Sequence, residues 1–160
     1  MIVYHGSDVI VEHPDNLHSQ KHLDFGMGFY TTTVQLQAER WAKRKAALHG
    51  KKAGYVSIYE ASESTGFNFH DFGEDLNSWI DFVCKCRCGS DIFRMYDIIK
   101  GKVADDNVIR VVDMYMRKMI DKKQAIKYIR VYETYDQITY VTQKSIDSCL
   151  TFKESYEVIL

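Results

Sequence analysis

His5 stands in the apolar run Ile2-Val3-Tyr4 and is followed at once by Gly6 and Ser7. A histidine in a strand next to a glycine lets a backbone approach something flat or polar closely. About twenty residues later comes Asp24-Phe25-Gly26-Met27-Gly28-Phe29-Tyr30, an aromatic approached through two glycines. The third feature is the polar pair Asp136-Gln137 at the entrance to the apolar stretch Ile138-Thr139-Tyr140. Alternation puts Asp136 on one strand face with Ile138 and Tyr140, and Gln137 on the other with Thr139. An aspartate can carry charge or take a proton, whereas a glutamine can only hydrogen-bond. Each feature alone also has a structural explanation: a satisfied core histidine, a buried tyrosine, a polar strand end.

Several other chemistries find no motif. There is no G-x-S-x-G elbow, phosphate-binding glycine loop or H-E-x-x-H helix in the sequence. Cys84, Cys86 and Cys88 alternate with single residues, too close for a zinc pair, and Cys149 lies far away. We therefore expect free thiols and no metal. The segment 8–24, with His13, His18 and His22, has no clear period and reads as a loop, a lid over a ligand being the sharper possibility.

Taken together, Tyr4-His5-Gly6-Ser7 followed by Gly26-Met27-Gly28-Phe29-Tyr30-Thr31-Thr32 resembles the ADP-ribosyltransferase superfamily, in its diphtheria-toxin and poly(ADP-ribose) polymerase branch. Trp41-Ala42 on the next helix fits as well. The chain is similar to a small bacterial family near that branch through Tyr96-Asp97-Ile98, Gly101-x-Val103-Ala104 and Asp136-Gln137-Ile138. The resemblance implies a split β-sheet core, NAD as substrate and transfer of ADP-ribose to a macromolecule, or NAD hydrolysis. It implies that His5 donates to a ribose hydroxyl and that the Gly6 backbone pairs with the nicotinamide amide. Tyr30 would stack on the nicotinamide ring, Ser7 and Gly28 would complete the NAD-binding residues, and His5, Gly6 and Tyr30 would line one cleft. The branch places a glutamate on a later strand, and here that strand carries none. Gln137 is the preferred third residue because a polar Gln-Thr face suits a cleft wall. Asp136 is its alternative, and Glu133, four residues upstream of Gln137, is a weaker one. The resemblance further implies the toxin of a toxin–antitoxin pair, with a small antitoxin protein as partner. The rival expectation is a binding module for NAD or ADP-ribose that has lost turnover.

The elements that must position these residues can be read from periodicity. Strands are predicted at 1–5, within 25–33, at 54–61, 67–72, 96–99 and 137–142, and an edge strand is expected in the tail from Thr151. Helices are predicted at 34–49, with Thr33 as N-cap and Leu36, Trp41, Ala42 and Leu48 on one face, and at 75–86, 106–120, 123–130 and 143–150. This is one α+β domain over residues 1–160. A chain of 160 residues buries roughly two thirds of its unfolded surface and needs no staples. With 21 Lys+Arg against 22 Asp+Glu, no overall field draws it to nucleic acid or membrane. The basic edge Lys43, Arg44, Lys45, Lys51 and Lys52 reads as a solvated helix face. No secretory signal is visible in Met-Ile-Val-Tyr-His-Gly-Ser, so a cytoplasmic location is expected.

Overall fold

A computed structural model describes residues 1–20 and 22–160; Lys21, within the predicted loop 8–24, lies outside the described residues. The described chain is α+β, with seven strands in two sheets and five α-helices. Sheet A is antiparallel in the order β1 (Ile2–Ser7), β3 (Ala53–Ala61), β7 (Leu150–Ile159). Sheet B runs β2 (Phe29–Thr31), β6 (Asp136–Tyr140), β5 (Ile98–Lys102), β4 (Phe69–Asp71), with only the last pair parallel. The predicted tail strand is β7, ten residues long. No helix among the described residues is long and apolar enough to cross a membrane.

Helix α1 (Gln35–Leu48) lies on sheet A by an unexpected face. The predicted stripe placed Leu36 and Leu48 inward, yet they are 50% and 73% exposed. The buried residues are Gln37, Ala38, Ala42 and Ala46. The cause lies beneath the helix. A Cβ on Gly6 would sit 1.9 Å from the Ala38 carbonyl oxygen, and one on Gly54 2.4 Å from that of Ala42. Glycine below and alanine above bring helix and strands into backbone contact, a fit no leucine could enter. Nor does Thr33 cap the helix. The N-cap is Val34, and its N–H donates to the Thr32 hydroxyl.

Sheet B is backed instead by bulk. Helices α2 (Leu76–Arg87), α3 (Asp106–Met116) and α4 (Lys122–Ile129) pack Trp79, Ile80, Val83, Val108, Val112 and Ile129 around Phe25 and Phe72. Asp75, Asp105 and Asp121 cap them, each carboxylate accepting an N–H of the first turn. The N-cap of α3 is Asp105, and the helix ends at Met116 rather than at 120, so Met119 is exposed while Val111 and Val112 are core. Fully burying a side chain such as Phe25 contributes about 2–3 kcal/mol. Strand β5 runs two residues later than predicted, through Gly101, where Phe25, Trp79 and Phe72 fill the space a side chain would need. Between the sheets lies a second core of Val3, Phe29, Tyr59, Ile98, Ile138, Tyr140 and, from α5 (Gln143–Cys149), Ile146.

Candidate functional site

The sheets meet at one place along their neighbouring edges. Tyr4 of β1 and Thr32, just past β2, exchange N–H···O bonds of 2.8 and 3.0 Å as an isolated antiparallel bridge. In an antiparallel strand the N–H and C=O of alternate residues leave by the same edge. Gly6 therefore directs its main-chain groups across the gap as Tyr4 does, and Tyr30 directs its own back as Thr32 does. No ladder closes there. The Tyr30 carbonyl is taken by the His5 side chain, whose Nδ1 lies 2.6 Å away. The two strands part at this point into a fork, with His5 wedged in its throat.

His5 is 8% exposed and stacks on Phe29 with ring centroids 4.3 Å apart. Burial, followed by the positive charge of Lys45, pushes its pKa down to about 3, against the raising effect of the Tyr30 hydrogen bond. The ring is thus neutral at physiological pH. A carbonyl only accepts, so Nδ1 carries the proton and Nε2 is left as an acceptor. This reverses the expected polarity: His5 can accept from a ligand hydroxyl through Nε2 but has no proton there to donate.

Tyr30 is half-buried and leaves β2 on the face opposite Phe29, against the helices behind sheet B. Its hydroxyl donates to the Gly26 carbonyl at 2.5 Å and accepts from the Phe25 N–H at 3.0 Å. Burial first, then the Asp24 carboxylate, holds its pKa well above the usual value. Gly26 makes the turn that brings its carbonyl back, at φ 74°. Gly28 donates to the Ser19 hydroxyl at 2.9 Å, and a Cβ there would lie 2.7 Å from Thr139 Cγ2. Buried Ser7 ends β1, its hydroxyl 3.4 Å from Asp8. His5, Gly6 and Tyr30 do converge, through hydrogen bond and backbone. The Tyr30 ring nevertheless leaves β2 on the face opposite Phe29, on which the His5 ring stacks, so the fold builds a fork rather than a cleft walled by both rings.

Strand β6 separates its polar pair as alternation requires. Asp136 turns to the start of α1, accepting from Thr32 Oγ1 at 3.0 Å, Thr33 N–H at 2.9 Å and Thr33 Oγ1 at 2.5 Å. Gln137 is 2% exposed and shares the Tyr30 face with Thr139, which pairs directly with Tyr30. Its amide nitrogen donates to Asp24 Oδ2 and to the Lys102 carbonyl, each at 3.0 Å. Both partners are acceptors, which fixes the amide orientation and leaves Oε1 without a protein donor among the described residues. Thr139 is fully buried, and its hydroxyl has no hydrogen-bond partner among the described residues. Glu133 lies before β6, in the segment joining it to α4.

Sequence reasoning missed Asp24 as part of the site. It is 5% exposed; its Oδ1 accepts from Arg87 Nε at 2.8 Å and lies 2.5 Å from Arg87 Nη2 in an ion pair. Oδ2 takes the Ala104 N–H at 2.9 Å and the Gln137 amide. Its place at the head of the glycine segment was a signal, but nothing in the sequence linked it to Arg87, 63 residues away. Two open concavities lie apart from the fork: one lined by Asp8, Val9, Ile10, Lys51, Lys52 and Tyr55, the other along residues 63–69. Among the described residues no three His, Cys, Asp or Glu side chains gather as a metal site.

Among the described residues, fold and fork define an α+β domain of two sheets joined by a single bridge, with unladdered main-chain groups and a neutral histidine at the junction. Residues 1–152 match the family described as protein of unknown function (DUF3990), and the chain belongs to that family. No curated protein and no solved structure matches the chain.

Proposed function

We propose that the fork binds NAD and that the protein is an ADP-ribosyltransferase, moving ADP-ribose from NAD to a macromolecular acceptor. The observation that carries this reading is the parting of β1 and β2 after one bridge, with Gly6, His5 and Tyr30 at the opening. A carboxamide presents one donor and one acceptor, the complement of the N–H and C=O that Gly6 directs into the gap. The His5 Nε2 accepts from a ribose hydroxyl. A cationic pyridinium over the Tyr30 ring gains about 0.5–2 kcal/mol. Gln137 Oε1 accepts from the ribose 2′-hydroxyl of the nicotinamide side.

In the reaction the bond from ribose C1′ to the nicotinamide nitrogen breaks, and its electron pair leaves with the nicotinamide, neutralising the pyridinium. Positive charge develops on the ribosyl group, and the acceptor's nucleophile closes on C1′ and sheds its proton. Stabilising that cation matters more than a strong base. Such an enzyme suits the toxin of a toxin–antitoxin pair, its small antitoxin covering the fork. Incubation with NAD labelled in the adenylate half, in lysate and alone, is the test: nicotinamide release with label on a macromolecule supports transfer. Absence of both binding and release overturns the reading.

One observation favours a second reading. Position 137 offers an amide where a carboxylate would stabilise the cation, so a module that holds NAD or ADP-ribose without cleaving it also suits the fork. Binding by calorimetry without nicotinamide release selects it.

A further inference from the structure

We propose that Asp24 is a positioning and polarising residue that supplies, through Gln137, the negative potential missing at the third position; this rests on the NAD reading above. Three features of the site support it. A carboxylate buried as deeply as Asp24 is retained only when its oxygens are saturated, and here they accept three hydrogen bonds from three residues, with a second Arg87 nitrogen in ion-pair contact. The two oxygens are divided in use. Arg87 occupies Oδ1, while Oδ2 faces the Gln137 amide, so the cation does not stand between Asp24 and Gln137. A donated amide proton also draws electron density toward its own carbonyl, because hydrogen bonds in sequence polarise one another. Gln137 Oε1 is thereby a stronger acceptor than a solvated amide oxygen, and it is the end of the side chain that no described residue occupies.

The arrangement also orients. With both amide hydrogens bound, to Asp24 and to the Lys102 carbonyl, Gln137 has one rotamer and one amide orientation available. Asp24 further heads the segment whose Phe25 N–H and Gly26 carbonyl fix the Tyr30 hydroxyl. One buried charge thus sets the ribose acceptor and braces the proposed stacking ring.

The experiment compares wild type, Asp24→Asn, Gln137→Glu and the double variant Asp24→Asn/Gln137→Glu, reading NAD affinity by calorimetry and nicotinamide release in single turnovers. Asp24→Asn is expected to slow release by about tenfold or more while NAD affinity holds within about twofold. The double variant returns one carboxylate to the site and is expected to recover most of the rate. A merely structural Asp24 would not produce that rescue, so a folded double variant as slow as Asp24→Asn overturns the proposal, as does Asp24→Asn releasing nicotinamide at the wild-type rate. Should Asp24→Asn fail to fold, Gln137→Glu decides alone. Its new carboxylate would stand beside that of Asp24, so the rate is expected to fall on an acidic limb near or above about pH 6 that wild type lacks. A flat profile overturns the proposal. Wild type that neither binds nor cleaves NAD fails the parent reading, a result distinct from an active enzyme indifferent to Asp24.

Discussion

The two sheets are backed in opposite ways. Behind sheet A, α1 rests its alanines on Gly6 and Gly54 so closely that backbone touches backbone. Behind sheet B, three helices pack large side chains, and an ion pair from half-buried Arg87 to buried Asp24 runs through that layer to reach β6. The first interface is governed by steric fit and tolerates no added atom. The second is governed by charge and hydrogen bonding and can be adjusted by degrees. The fork lies where the two meet, so its β1 side is fixed by shape and its β6 side by polarity.

That contrast breaks most sharply at Gly6. Gly6→Ala sets a methyl against the Ala38 carbonyl and Ala42 nitrogen, neither of which can rotate away, so we expect a loss above about 4 kcal/mol or no folded protein by urea denaturation. Arg87→Met leaves Asp24 buried without its cation and should cost about 3–4 kcal/mol. Adding Asp24→Asn to Arg87→Met should recover part of that loss, a coupling visible in a double-mutant cycle. Gly6→Ala has no such rescue by charge.

Acid sharpens the comparison at the fork itself. The His5 pKa is lowered from 6.5 to about 3, so the unfolded chain binds a proton there that the folded chain refuses. Its contribution to stability is complete above about pH 6.5 and declines as pH falls toward 3, by about 2 kcal/mol between pH 7 and 5. Denaturation at both pH values checks this, and His5→Gln should flatten that part of the curve. Proton NMR of the His5 ring should show no titration over the same range. The smallest effect is expected far from either interface. Gly66→Ala meets open space and suffers only its φ of 85°, so about 1 kcal/mol is expected in the same denaturation assay.

Much of this organisation was legible in the sequence, and unevenly so. Every predicted helix and strand has a counterpart, because each was written by a local period or a cap. The faces of Asp136 and Gln137 followed from alternation alone. What local patterns do not carry is the identity of a partner across the chain. Leu36 and Leu48 looked like the inward face of α1 because large apolar residues usually are. The deciding fact was the two glycines beneath, on strands 48 residues apart in sequence. Asp24 read only as the end of the loop 8–24, because its partners, Arg87, Ala104 and Gln137, come from three later segments. The expectation that His5 donates to a ribose hydroxyl missed a partner of the same kind: the carbonyl of Tyr30 takes the Nδ1 proton.

The bridge between Tyr4 and Thr32 has a consequence for motion. Its two amide hydrogens are held by opposite sheets, each by the carbonyl of the other residue. They can reach solvent together only when the sheets separate, whereas the Gly6 and Tyr30 amides already look into the gap. In deuterium exchange the first pair should therefore become labelled jointly and late, the second pair early and independently. A ligand seated in the fork should slow the second pair most. The protein thus holds a built-in gauge that times the parting of its two halves separately from the filling of the space between them.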